Sequence, residues 1–328
     1  MAILASPMIL NNATSPVTEF ILLGFSSLDQ TSRLLLCALL SSTYTLTLAG
    51  NLCIMWAILQ DPRLHHLPMY VFLGNFSFLE ICYITATVPR MIVDLVTPQG
   101  DVISFQACFL QFYFFFSMGT TECFFLSAMA LDRYLAICHP LHYPSLMSQR
   151  FCLFLVASCW VCGFLWFMVP IVLISQLPFC HPSVLDHFLC DPAPLLAVSC
   201  VPAPQTERGL YTLSSLIIIA TFLFILASYT MVLKAVMRLP WGAGRHKALS
   251  TCTSHFAVVG LFYGSVMVTY VNPAASRSSG KMVTLFYVVV TPLFNPLIYS
   301  LRNKEVKEAL RKIHTSSQLK QADPWPWT

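Results

Sequence analysis

Seven apolar runs long enough to cross a bilayer leave this chain few ways to fold. They lie at 34–59, 68–92, 105–137, 151–177, 210–236, 249–271 and 282–301. A membrane span needs about 20 predominantly apolar residues, and in lipid every backbone N–H and C=O must be satisfied within its own segment or in a closed barrel. Uninterrupted apolar runs meet that demand as helices, so the fold class expected is an all-α membrane protein, a seven-transmembrane helix bundle. The composition agrees, with 57% hydrophobic residues against 10% charged. Pro89, Pro170, Pro292 and Pro296 fall inside runs, where a proline kinks a membrane helix more often than it ends it.

Orientation follows from the basic residues, which favour the cytoplasmic ends of spans. With the N-terminus outside, the inner side holds thirteen of the eighteen Lys and Arg residues, among them Arg63, Arg133, Arg150, Lys234, Arg245 and Lys307. The outer side holds Arg33, Arg90, Arg208, Arg277 and Lys281. Residues 1–33 are therefore expected outside, 34–301 as the bundle, and 302–328 as a cytoplasmic tail that opens with a short amphipathic helix. The first ten residues lack a basic n-region, so the first span is expected to serve as the uncleaved signal. Asn12-Ala13-Thr14 is a glycosylation acceptor in the outer segment; Asn75-Phe76-Ser77 also matches but lies inside a span.

Nine of the thirteen cysteines sit in spans or at their inner ends, where small thiols are ordinary packing residues. Cys108, Cys180, Cys190 and Cys200 lie on the oxidising side, and an even set there implies disulfides with three possible connectivities. Three of the four fall in the outer connection 176–207, whose six prolines predict neither helix nor regular sheet but a stapled lid. A metal site on His187-Phe188-Leu189-Cys190-Asp191 would have too few ligands once Cys190 is in a disulfide.

Charges inside the spans mark function, because a charged side chain near the bilayer centre costs roughly 3 kcal/mol. Asp132 and Arg133 close the third span on its inner side, and Glu80 and Glu122 lie in the middle thirds of the second and third spans. The carboxyl pair suits a structural hydrogen-bond network or a shared sodium ion or water, and no transition-metal geometry is evident.

Asp132-Arg133-Tyr134 closing span three, Asn295-Pro296-Leu297-Ile298-Tyr299 closing span seven, and Gly50-Asn51 in span one resemble the signatures of rhodopsin-like G-protein-coupled receptors. A narrower resemblance, to the olfactory receptors, covers nearly the whole chain. It rests on the motif from Thr18 to Phe25, that from Leu64 to Leu73, that from Met129 to Tyr143, that from Lys247 to His255, and that from Pro292 to Lys307. Leu131 stands where the family often has Tyr, and Glu80 where many members have Asp.

The resemblance implies disulfides Cys108–Cys190 and Cys180–Cys200, a switch around Arg133 that Tyr229 and Tyr299 are placed to join, and a polar cluster in which Glu80 and Glu122 lie near Asn51 and Asn295. It implies an odorant receptor of the plasma membrane that activates a stimulatory heterotrimeric G protein and raises cyclic AMP. Its ligand site is expected in the outer half of the bundle, between Phe112, Phe115, Phe116, Gly119 and Thr120 of span three and Tyr263, Val266, Met267 and Tyr270 of span six. No span offers a carboxylate in that zone, so a small, neutral, mostly apolar volatile fits best, with hydroxyls of Thr120, Tyr263 and Tyr270 to orient one oxygen. Neither a cofactor nor a nucleic-acid partner is expected. Internal repeats of a transporter are absent from the sequence, and Glu80 with Glu122 is a carboxyl pair without the adjacent nucleophile an intramembrane enzyme needs.

Overall fold

The computed structural model describes residues 17–64, 66–97, 101–238, 242–271, 273–302 and 305–311. In chain order these residues form β1 (Glu19–Leu22), α1 (Gln30–Gln60), α2 (Pro68–Val96), β2 (Asp101–Ser104), α3 (Phe105–Cys138), α4 (Tyr143–Leu146), α5 (Gln149–Trp166), α6 (Met168–Ser175), β3 (Val184–Leu185), α7 (Pro192–Ala197), α8 (Pro204–Met237), α9 (Ala243–Tyr270) and α10 (Pro273–Arg302). Residues 305–311 are helical as well and bury Val306 and Ala309, the one-sided pattern of an amphipathic helix. Among the described residues six helical stretches are long and apolar enough to cross a membrane, α5 and α6 counting as one. The remaining span is α9, apolar over His255–Tyr270.

Several helices run past the lipid-length windows, because caps rather than hydropathy decide where a helix ends. Asp29 caps α1 by accepting from the Ser32 amide, and Ser104 and Ser148 do the same for α3 and α5. The fourth span departs from the sequence expectation of one continuous helix: it breaks at Phe167 into α5 and α6. Pro170 has no N–H to donate to the Trp166 carbonyl one turn earlier, and its ring crowds that carbonyl, so the chain restarts its helix. Pro89, Pro292 and Pro296 are accommodated inside α2 and α10.

The central element is α3, with 72% of its apolar window buried against 22% for α1. Close approach to α5 is possible because Gly163 presents no side chain to Thr121. At the inner end Gly50 of α1 lies against Pro296 of α10, where an added Cβ would sit 3.0 Å from the proline Cβ.

The outer connection differs from its sequence reading. It contains β3, α7 and a bridge between Phe179 and Ser199. β3 pairs in parallel with β1 of the N-terminal segment, and β1 pairs antiparallel with β2, making a small three-stranded sheet. The strand could not be read locally, because its partner is supplied from more than a hundred residues away; the helix could form because Asp191 caps it and Pro192 stands in its first turn, where a missing N–H is harmless. Disulfides join Cys108 to Cys190 and Cys180 to Cys200, the first anchoring the lid to α3 and the second closing the lid on itself. A loop of this length constrained in the unfolded chain contributes roughly 3 kcal/mol in the chain-entropy model.

The packing of α3 on α5 generates a test. Gly163→Ala places a methyl into Thr121 and should lower stability by about 1–3 kcal/mol, whereas Gly209→Ala on α8 meets nothing within 4 Å and should be neutral or slightly stabilising. Thermal melting of the detergent-solubilised protein separates them; equal melting temperatures for the two variants would show that the close approach is not needed.

Candidate functional site

A small cavity of about 50 Å³ lies between the helices. Phe115, Phe116, Gly119, Thr120 and Cys123 of α3 form one side of it. Ser214, Ile217 and Ile218 of α8 and Phe262, Val266 and Tyr270 of α9 form the other, with Tyr83 of α2, Phe167 and Tyr287 of α10 completing it. A cavity walled by this many elements is held open by their mutual packing, and Gly119 helps, since an added Cβ there would have no atom within 4 Å. A larger depression of about 840 Å³ runs along Pro204–Leu223 but is lined by α8 alone, so it is a groove on one lipid-facing helix.

Six of the nine residues expected at the ligand site line this cavity: Phe115, Phe116, Gly119, Thr120, Val266 and Tyr270. Phe112, Tyr263 and Met267 do not. Phe112 is fully buried one turn further out, its ring against Phe109 and Phe116. Tyr263 points toward α8, where its hydroxyl donates to Thr221 Oγ1 at 2.8 Å and its ring packs on Phe222. On α9 the cavity face is 262, 266 and 270, so the face named from the sequence was rotated by about one residue. Periodicity identifies that a face exists; neighbouring helices set which way it points. Phe167 could have been anticipated from Pro170, whose break turns the backbone there.

The hydroxyls expected to meet a ligand are already engaged. Thr120 donates to the Phe116 carbonyl at 2.8 Å, and Tyr270 shares a 2.5 Å hydrogen bond with Tyr287. Tyr270 also donates to Asp191 Oδ2 at 3.3 Å. The outer zone is therefore not free of carboxylate: the spans put none in the cavity lining, but the lid delivers Asp191, buried, with its other oxygen accepting from the Ala193 amide. Burial pushes its pKa up from 3.8 to about 6, partly offset by those two hydrogen bonds. His187, buried in the same lid, is pushed down from 6.5 to about 4 by burial and by Lys281. Lys281 of α10 in turn pairs with Asp186 at 2.5 Å, pinning the lid to the bundle. With Cys190 in its disulfide, no group of three His, Cys, Asp or Glu side chains among the described residues is placed to hold a metal ion.

In mid-bundle, Glu80 accepts from Asn295 Nδ2 at 2.5 Å, joining α2 to α10. Asn51 instead turns back to the Thr47 carbonyl of its own helix. Glu122 is 4% exposed and, like Glu80, keeps one carboxyl oxygen without a hydrogen-bond partner among the described residues.

At the inner end Asp132 is the hub. It accepts from the Arg133 guanidinium and, at 2.6 Å, from the Tyr143 hydroxyl of α4. Tyr134 bonds His139 at 3.1 Å. Tyr229, expected to join Arg133, bonds His255 Nδ1 at 2.8 Å with the two rings stacked, tying α8 to α9. Tyr143 and His255 both lie in motifs quoted from the sequence, yet neither had been given a role there. Of Tyr299 the structure describes only the helical position in α10, and Asn12 lies outside the described residues.

A seven-helix membrane bundle with a lid, an apolar cavity and an acid–base inner end defines a rhodopsin-like receptor. The family model described as olfactory receptor matches residues 40–317. The chain is 57% identical to olfactory receptor 11H12 of Homo sapiens over 311 residues, 94% of each chain. It is 56% identical to human olfactory receptor 11G2 over 301 residues, 91% of this chain and 86% of that one, and 45% identical to olfactory receptor 226 of Rattus norvegicus over 306 residues, 92% and 93%. The chain belongs to the olfactory receptor family: it is a multi-pass plasma-membrane odorant receptor acting through G proteins, and not an enzyme.

The two buried lid groups oppose each other in pH. Asp191, with its folded pKa raised, gains stability as pH falls through about 6 toward 3.8; His187, with its folded pKa lowered, loses stability as pH falls through 6.5 toward about 4. The wild-type protein should therefore change little across that window on their account. Asp191→Asn should melt progressively earlier than wild type on acidification, and His187→Gln progressively later. Melting curves of the three proteins that stay parallel with pH would rule out both shifts.

Proposed function

We propose that the cavity is the odorant site and that the inner ends of α3, α8 and α9 form the face that engages a stimulatory heterotrimeric G protein, raising cyclic AMP. The observation that carries this is the course of α9, which brings Phe262, Val266 and Tyr270 to the cavity and His255 to the inner bond with Tyr229. A ligand that fits the cavity better when α9 has moved shifts the population of bundle states and so of its inner end. The ligand class is a small, neutral, mostly apolar volatile, because the lining is aromatic and aliphatic and the nearby Asp191 is committed to Ala193 and Tyr270.

Arg133 is the coupling residue: leaving Asp132, its guanidinium is free to meet the G protein, with Tyr134, Tyr143 and Tyr229 shaping the same face. Asn295, Pro296 and Tyr299 act at the inner part of α10, and Glu80 ties it to α2 through Asn295, with Glu122 of α3 and Asn51 of α1 as the further members of the polar cluster. Asn12 carries the glycan of the outer segment, in keeping with its acceptor triplet. The four outer cysteines hold the lid over the site.

Cells expressing the receptor with a stimulatory olfactory G protein should raise cyclic AMP when given members of a panel of neutral volatiles. Arg133→Ala should reach the surface and lose that response, and Gly119→Leu should lower potency most for the bulkiest agonists. Full signalling by surface-delivered Arg133→Ala would remove the coupling assignment, and unchanged potencies in Gly119→Leu would move the ligand elsewhere.

A further inference from the structure

Hydroxyls in these helices follow one habit. Thr120, Thr121, Ser127, Thr221, Ser228, Ser265 and Thr269 each donate to the carbonyl four residues earlier, which satisfies the proton where no water reaches. Ser214 of α8 does not, nor do Ser117, Thr284 and Thr291, and of these four only Ser214 lines the cavity. It is 3% exposed, its hydroxyl has no hydrogen-bond partner among the described residues, and it lines the cavity.

Of the other cavity hydroxyls, Thr120 is engaged with Phe116, and Tyr270 with Tyr287 and Asp191. Ser214 is the cavity-lining hydroxyl that is buried without a hydrogen-bond partner among the described residues. Its position is held, because the neighbouring Leu213 carbonyl accepts from Trp166 Nε1 at 3.4 Å, pinning the rotation of α8 against α5. Burying a hydroxyl without a partner is costly, so a molecule bringing an acceptor to this point recovers the hydrogen bond while the rest of it covers Ile217, Ile218 and Phe262.

We infer that Ser214 is the specificity-determining anchor for a carbonyl oxygen, and that the favoured odorants are neutral ketones, aldehydes or esters whose oxygen accepts from the Ser214 hydroxyl. This rests on the cavity being the odorant site. A carbonyl accepts without bringing a proton of its own, which matches a wall whose unmet need is for an acceptor. A cationic amine suits the point badly: Ser214 offers no charge, and the closest described carboxylate of the lid lies behind Tyr270.

The test pairs volatile methyl ketones with methylidene alkenes of the same carbon skeleton, so that only the oxygen is exchanged for a methylene group. Cyclic AMP dose–response curves are recorded on surface-matched cells carrying wild type, Ser214→Ala, Ser214→Cys and Ser228→Ala. Wild type should prefer each active ketone over its alkene by about fivefold, the ordinary worth of one neutral hydrogen bond. Ser214→Ala should erase that preference by weakening the ketone alone, Ser214→Cys should keep part of it through its weaker donor, and Ser228→Ala should keep all of it, since Ser228 is bonded to Phe224 away from the cavity. Ketone preference that survives in Ser214→Ala, or equal potency of ketone and alkene in wild type, overturns the anchor while leaving the odorant site intact. If Gly119→Leu alters no agonist in the same cells, the site reading falls, and the anchor with it.

Discussion

Inside a bilayer no water is available to complete a hydrogen bond, and the molecule is built around that shortage. It dictates helices for every span, because a helix satisfies its own backbone. It also governs the side chains: many buried threonines and serines donate back to their own helices, Asn295 gives its amide to Glu80, and Tyr229 shares a hydrogen bond with His255. A few buried groups are left out of this accounting among the described residues. Ser214 is such a group at the cavity, and the unpaired carboxyl oxygens of Glu80 and Glu122 are such groups at the polar centre.

The lid answers the same constraint from outside. Its disulfide to Cys108 holds Cys190 against the outer end of α3, and the next residue, Asp191, is thereby buried with a tyrosine and a backbone amide for partners. Lys281 with Asp186 and the β1–β3 pairing fix the remaining edges. Tyr270 consequently faces two ways, one side in the cavity wall and the hydroxyl on the lid, so that a change in lid position and a change in cavity shape are coupled through one residue.

At the inner end the ionic pair is local. Arg133 is held by the adjacent Asp132, and Asp132 by Tyr143 from the following loop, while α8 and α9 are joined separately through Tyr229 and His255. Among the described residues these two fastenings share no side chain.

Much of this was legible before any coordinates. Apolar run length and the solvent properties of lipid determined the helices and their number; the positive-inside bias predicts an orientation; the motifs pointed to the family. These are properties of local composition, which survive in a one-dimensional reading. The starts of α1, α3 and α5, the break at Phe167 and the lid's strand were decided by caps, a proline and a distant strand partner. The cavity was decided only in three dimensions. Helical spacing placed Val266 and Tyr270 on one face, but the rotation of α9 against α3 exchanged Tyr263 for Phe262, and the choice of hydroxyl depended on which ones their neighbours had already engaged. A sequence states which donors a chain carries; only packing determines which of them is left without an acceptor.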